Sequence, residues 1–203
     1  SPGPPEEELP PTRPDPEVVA VEAARHFEAG RIDEALARVQ GLLKIDPRDA
    51  KALNTRANCL FRLGRRDEAR VAIVKAIEAS PSALAFWLNK AVIEHDAGHL
   101  KEACRSAIDL IEIAQAGALQ APSVEEARRI IAILQAKGVV PAPRSHLGFL
   151  GLGYVSMMAG RTDGALDFFS KAIAAAPDNI EALRWKGNAL KQLKRADEAL
   201  ELF

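Results

Sequence analysis

Large rings are scarce in this chain, with one Tyr, two Trp and seven Phe among 203 residues. Cysteine is limited to Cys59 and Cys104, with no CxxC pair, which argues against a disulfide framework or a zinc site. Two small buried thiols in a reducing, cytoplasmic setting are expected instead. Neither sign of charge dominates: 27 Lys and Arg face 28 Asp and Glu, for a net charge of −1. That balance speaks against a nucleic-acid binder, which carries a basic face. No apolar run reaches the roughly 20 residues of a membrane span. The opening at Ser1 shows neither Met nor an apolar leader, and Phe203 falls inside a helical pattern. Both ends therefore read as cut from a longer protein.

What is abundant is alanine, leucine and mixed charge, a helix-forming composition; its Ala and Arg content hints at a GC-rich bacterial genome. The segment Gly30-Arg31-Ile32-Asp33-Glu34-Ala35 recurs around Ala69, Ala103, Ala165 and Ala199, at steps of 34, 34, 62 and 34 residues. Twelve residues before each alanine stands a small residue: Ala23, Ala57, Ala91, Gly153 and Gly187. Four residues earlier lies an apolar one: Val19, Leu53, Trp87, Phe149 and Leu183. Pro47, Pro81 and Pro177 each follow the motif alanine by 12 residues.

Each unit thus reads as two amphipathic helices, with apolar residues at i, i+3, i+4 and i+7. The glycine closes the first helix in a left-handed conformation. The aspartate suits the N-cap or first turn of the second, where it meets free N–H groups. The small residue and the motif alanine let the two helices cross at close range. One such hairpin cannot bury its apolar face alone, whereas a stack can.

In period, in its five copies and in the placing of these residues, the chain resembles the tetratricopeptide repeat family from about residue 17 to residue 203. It departs from that family where the first helix of each unit should carry a tyrosine: His26, Leu60, Glu94, Ser156 and Leu190 stand there. The resemblance implies an all-α fold, a right-handed superhelical solenoid of helix-turn-helix repeats, here with one inserted helix.

The insertion follows from the 62-residue step, one repeat plus 28 residues. A helix is expected from Val124 to Lys137, with Ser123 as N-cap and Glu126 completing a capping box. Its apolar face is Val124, Ala127, Ile130, Ile131 and Leu134, and Gly138 closes it. The following Val139–Ser145 stretch reads as an extended linker long enough to run back along that helix and restart the array in its original direction. The expected organisation is a Pro-rich linker over 1–16, units one to three over 17–115, the inserted helix and linker over 116–145, and units four and five over 146–203. The inserted helix would cap the first block or bend the superhelix. The linker's seven prolines and its Glu6-Glu7-Glu8 run suit a tether, or a ligand for a polyproline-binding domain.

The family holds protein ligands in a concave groove lined by the first helix of each unit. The resemblance places Asn54, Asn58, Phe61 and Arg62 there in unit two, and Leu88, Asn89, Val92 and His95 in unit three. Unit four supplies Leu150, Tyr154, Met157 and Met158. Unit five supplies Arg184, Asn188, Lys191 and Gln192. Asparagine amides can pair with both N–H and C=O of an extended peptide, although solvated surface asparagines are the plain alternative. The methionines suit an adaptable binding surface or ordinary packing between units. Asn58 and Asn89 also match two places of the family's carboxylate clamp. Its cationic places hold Asn54, Leu147 and Gly151, so binding of chaperone tails is not expected.

His95 and His99 are four apart, with Asp96 between and Cys104 nearby, but Gly98 breaks the helix between them, so no metal site is assigned. Gly148, Gly151 and Gly153 have the wrong order for a phosphate loop and no strand before them. No Ser/His/Asp or Cys/His set suggests a nucleophile and base. No catalytic, cofactor-binding or metal residue is therefore assigned, and the chain is expected not to be an enzyme. The leading expectation is a scaffold or adaptor for a peptide or partner helix. The alternatives are a substrate-recruiting arm of a larger glycosyltransferase or methyltransferase, or a self-assembling homo-oligomer.

Overall fold

The computed structural model describes residues 15–117, 120–139 and 142–202. The linker expected over 1–16 lies outside the described residues as far as position 14. Eleven helices and no strand occur among the described residues. They are α1 (Pro16–Glu28), α2 (Ile32–Ile45), α3 (Ala50–Arg62), α4 (Arg66–Ala79), α5 (Leu84–Asp96), α6 (Leu100–Ala116), α7 (Pro122–Ala136), α8 (His146–Met158), α9 (Thr162–Ala175), α10 (Ile180–Gln192) and α11 (Ala196–Leu200).

The hairpins are α1–α2, α3–α4, α5–α6, α8–α9 and α10–α11. Asp15, Asp49, Ser145 and Asn179 cap four of the first helices through side-chain oxygens, as in the 2.9 Å bond from the Ala52 N–H to Asp49 Oδ1. The second helices begin behind Arg31, Arg65, His99, Arg161 or Arg195 without a side-chain cap. The motif aspartates Asp33, Asp67, Asp163 and Asp197 sit in the first turn, where the helix dipole favours negative charge. The turn glycines Gly30, Gly64, Gly98 and Gly160 take φ between 71° and 82°, and Lys194 takes the same left-handed turn at φ 59°.

Ala35, Ala69, Ala103 and Ala165 are wholly buried, and Ala199 nearly so. Their partners Ala57 and Ala91 are equally sealed. Small side chains therefore sit at every crossing, and a larger one would cost about 1–3 kcal/mol through overpacking. In α8 the approach is closer still. A Cβ on Gly151 would lie 2.5 Å from Ile111 Cγ2 of α6, and one on Gly153 would lie 2.3 Å from the Phe169 ring of α9. The glycines that look like a phosphate loop in the sequence are thus explained by packing.

The inserted helix α7 packs on both α5 and α6 and has no hairpin partner of its own. Its Ala127, Ile131 and Leu134 are fully buried in one cluster with Ile108, Leu110 and Ile111 of α6 and with Leu152 and Val155 of α8. The helix starts earlier than the sequence suggests. Ala121 holds the N-cap position without a side-chain bond, Pro122 opens the helix, and Ser123 lies inside its first turn. Proline has no N–H to satisfy and its φ is already helical, so no capping hydroxyl is needed. The expected capping box is therefore not formed.

Beyond α7 the chain returns along α6. The Ala142 carbonyl accepts from Arg105, early in α6, and the Arg144 N–H donates to Glu112 Oε1 at 3.3 Å, near its far end. Accordingly α8 docks on α6 and runs parallel to α7: Arg128 meets Tyr154, Ala132 shares a cleft with Met158, and Gln135 meets Arg161.

Candidate protein-binding surface

The first helices of successive units are neighbours: α1 touches α3, α3 touches α5, and α8 touches α10, while α7 contacts both α5 and α8. The expected binding residues fall into two groups on either part of this row.

The first group lies on α3 and α5. Asn54, Asn58 and Asn89 are half-buried, Arg62 is exposed, and Val92 reaches solvent. Asn89 Nδ2 donates to Asn54 Oδ1 at 2.8 Å, tying the two helices together. Each amide keeps its other end, a donor on Asn54 and an acceptor on Asn89. Among the described residues Asn58 makes no side-chain hydrogen bond. Phe61 packs against the core of the second unit, and the Arg62 guanidinium lies 5.5 Å from the Phe27 ring centroid. Leu88 packs against the cluster that contains α7, and His95 Nε2 lies 3.4 Å from Lys137 Nζ beyond the end of α7.

The second group lies on α8 and α10. Tyr154 is half-buried, with the Arg128 guanidinium of α7 stacked 4.1 Å from its ring centroid and Trp185 edge-on at 5.2 Å. Arg184 lies over Trp185 at 5.7 Å. Asn188, Lys191 and Gln192 are exposed, and the Gln192 amide oxygen lies 3.3 Å from the Thr162 hydroxyl. Met157 packs on the core, whereas Met158 is 71% exposed. Leu150 is different. It is only 2% exposed and belongs to the core with Phe169, Ala172 and Ala189, so it presents no surface to a ligand. The close approach that the α8 glycines allow turns this position into the packing between α8, α9 and α10.

One polar cluster escaped sequence reading. Glu94 stands where the family has tyrosine and is 4% exposed. Lys90 Nζ lies 2.9 Å from Glu94 Oε1, and the Ser106 hydroxyl donates to Glu94 Oε2 at 2.6 Å while accepting from Lys90 Nζ at 2.7 Å. The missing tyrosine and the Lys90–Glu94 spacing were the only signals, because Ser106 comes from the partner helix. Ser106 is fully buried and Glu94 nearly so, which leaves the cluster holding α5 to α6.

Cys59 and Cys104 are free and buried, and burial pushes both thiols up to about 11. Neither supplies a thiolate nucleophile at neutral pH. No three His, Cys, Asp or Glu side chains gather among the described residues as a metal site would require. No helix among them is long and apolar enough to cross a membrane.

A search of curated proteins finds no match. Among solved structures the chain is similar to the TPR2B-domain:pHsp70 complex of yeast Sti1, with 20% identity and a TM-score of 0.56 over 60% of this chain and 97% of that one. It is similar to the Yersinia enterocolitica type III secretion translocator chaperone SycD, with 17% identity and a TM-score of 0.55 over 60% and 84%. It is also similar to the first TPR of Spaghetti (RPAP3) bound to the HSP90 peptide SRMEEVD, with 20% identity and a TM-score of 0.51 over 59% and 93%. Two family models described as tetratricopeptide repeat match it, one over residues 26–81 and 156–203, the other over residues 62–118. Residues 119–155, which hold α7 and most of α8, lie outside both matches, while the repeats on either side carry the family's pattern. The chain belongs to the tetratricopeptide repeat family.

Proposed function

We propose that the chain is a protein-interaction scaffold that holds an extended peptide or a partner helix along α3 and α5. The observation that carries this reading is the Asn54–Asn89 bond, which fixes two amides side by side with a donor and an acceptor left over. Asn58 one turn along, exposed Arg62 and partly exposed Val92 complete a surface of mixed polar and apolar contacts. The fold supports the reading: the yeast Sti1 domain and the Spaghetti (RPAP3) domain, of similar fold, hold pHsp70 and an HSP90 peptide. Residues 17–115 form the binding block, residues 116–145 divide it from units four and five over 146–203, and residues 1–16 tether it. Free, buried cysteines suit a cytoplasmic setting.

The test is a random twelve-residue peptide library displayed on phage and selected on the purified chain. A population of the selected peptides should lose about tenfold or more in affinity on Asn58→Asp or Arg62→Glu, with thermal unfolding nearly unchanged. A selection in which no peptide loses affinity on either variant would remove α3 and α5 as the site.

A further inference from the structure

Four of the five repeats place a glutamate three residues after the basic turn residue: Glu34 after Arg31, Glu68 after Arg65, Glu102 after His99 and Glu198 after Arg195. In units two and five this acid grips the turn arginine through two bonds, at 2.7 and 2.7 Å for Arg65–Glu68 and at 2.6 and 2.7 Å for Arg195–Glu198, whereas in unit one Arg31 bonds to His26 Nδ1 at 3.0 Å instead. Unit four alone carries glycine, Gly164, after Arg161. Packing does not demand it: a Cβ at Gly164 would meet nothing within 4 Å. A glycine there weakens the first turn of α9 and opens no room for a neighbour. Its effect is to leave the exposed Arg161 guanidinium without an acid. Among the described residues Arg161 bonds only to a neutral side-chain partner, Gln135 Oε1 of α7.

The inserted helix makes a cleft with α8, and Arg161 follows two residues after Ala159, the last of the α8-side residues that line it. This cavity, of about 200 Å³, is lined by Glu125, Arg128, Arg129, Ala132, Tyr154 and Met158 among others. Its floor is apolar, and Met158 is the most exposed of its large apolar side chains. Arg128 is engaged with Glu125 and Tyr154. Arg129 is 75% exposed and holds Glu126 at 3.1 Å, a surface pair that costs little to exchange for another carboxylate. Arg129 and the Arg161 contact at Gln135 are six residues apart on α7, roughly 9 Å of rise and about 120° around the helix, or about 13 Å between their side chains. About four residues of extended peptide cover that length.

We propose that the α7–α8 cleft is a second peptide site, selective for an extended acidic segment with an apolar residue between two carboxylates. The apolar side chain sits against Ala132, Met158 and Ala159, and the carboxylates reach Arg161 and Arg129. With glycine at position 164, no glutamate three residues along competes for Arg161 as it does for Arg65 and Arg195. In this arrangement α7 builds a surface that regular repeats do not have, apart from the α3–α5 surface.

Gly164→Glu is the decisive variant. It places the acid present in the other units, its Cβ meets nothing within 4 Å, and it replaces glycine by a better helix former, so loss of binding cannot be assigned to unfolding. From the displayed library, the chain should enrich peptides with two acids about four positions apart flanking an apolar residue. Synthetic copies should bind Gly164→Glu and Arg161→Gln about tenfold or more weakly, lose affinity as salt rises, and bind Asn58→Asp as well as the parent. Equal binding to Gly164→Glu overturns the site. So does a library that yields no acidic peptides, or yields only peptides lost on Asn58→Asp, which would leave the α3–α5 surface as the single site. Acidic peptides lost only on Gly164→Glu, with no population sensitive to Asn58→Asp, would keep this site and remove the first.

Discussion

The α-carbon of Gly153 faces the Phe169 ring so closely that a Cβ would lie 2.3 Å from Cε1. Phe169 is fully buried, so the ring has no solvent-side position to retreat to. Gly153→Ala should therefore destabilise the chain by about 1–3 kcal/mol, outweighing the roughly 1 kcal/mol by which alanine improves on glycine inside a helix. Gly164→Ala, with open space around its new Cβ, should instead gain about 0.5–1 kcal/mol. Urea unfolding of the two variants checks the contrast; midpoints that move in the same direction would refute it.

The burial of α7 makes it part of the core. Leu134 is fully buried among α6 side chains, so Leu134→Ala should cost about 2–5 kcal/mol in a single cooperative transition. A helix appended to a finished stack would lose only its own local structure, leaving the main unfolding midpoint where it was. Helical circular dichroism followed through the transition separates the two outcomes.

The repeat was legible because its determinants are local. The 34-residue spacing, the turn glycines and the small residues at Ala23, Ala57 and Ala91 each report a helix end or a close crossing. The apolar face of α7 was legible for the same reason, since Val124, Ala127, Ile131 and Leu134 share one side of a single helix. What stayed hidden depends on pairs from different helices. Asn54 and Asn89 are 35 residues apart and Glu94 and Ser106 are 12 apart, and no periodicity announces that their side chains meet. Leu150 was misplaced because the family's groove register was carried onto α8, whose glycines draw it against both α6 and α9. Ser123 was misread because a capping pattern and a helix-opening proline stood side by side, and the proline set the start.

The Lys90–Glu94–Ser106 cluster should matter to stability more than its size suggests. Ser106→Ala removes the hydroxyl that donates to Glu94 Oε2 and accepts from Lys90 Nζ. A buried carboxylate oxygen then lacks a partner, at a cost of about 1–3 kcal/mol. Lys171→Ala, which breaks the exposed Lys171–Asp167 pair of 2.7 Å, should change stability far less. Equal urea midpoints for the two variants would show that the buried cluster carries no special weight.

The two thiols give a stability change of known sign with pH. Burial raises Cys59 and Cys104 from 9.0 to about 11 in the folded chain, so between those values the folded state holds protons that the unfolded chain releases. Unfolding is then favoured as pH climbs: the stabilisation is complete below about 9 and is lost as pH rises through about 11. Urea midpoints between pH 8 and 11 should fall more steeply for the parent than for a Cys59→Ala, Cys104→Ala double variant. Below pH 9, iodoacetamide should label either thiol only at the rate of unfolding, since the reactive thiolate is both scarce and enclosed. Rapid labelling of the native chain at pH 8 would mean that at least one thiol reaches solvent, and would remove the basis for the pH effect.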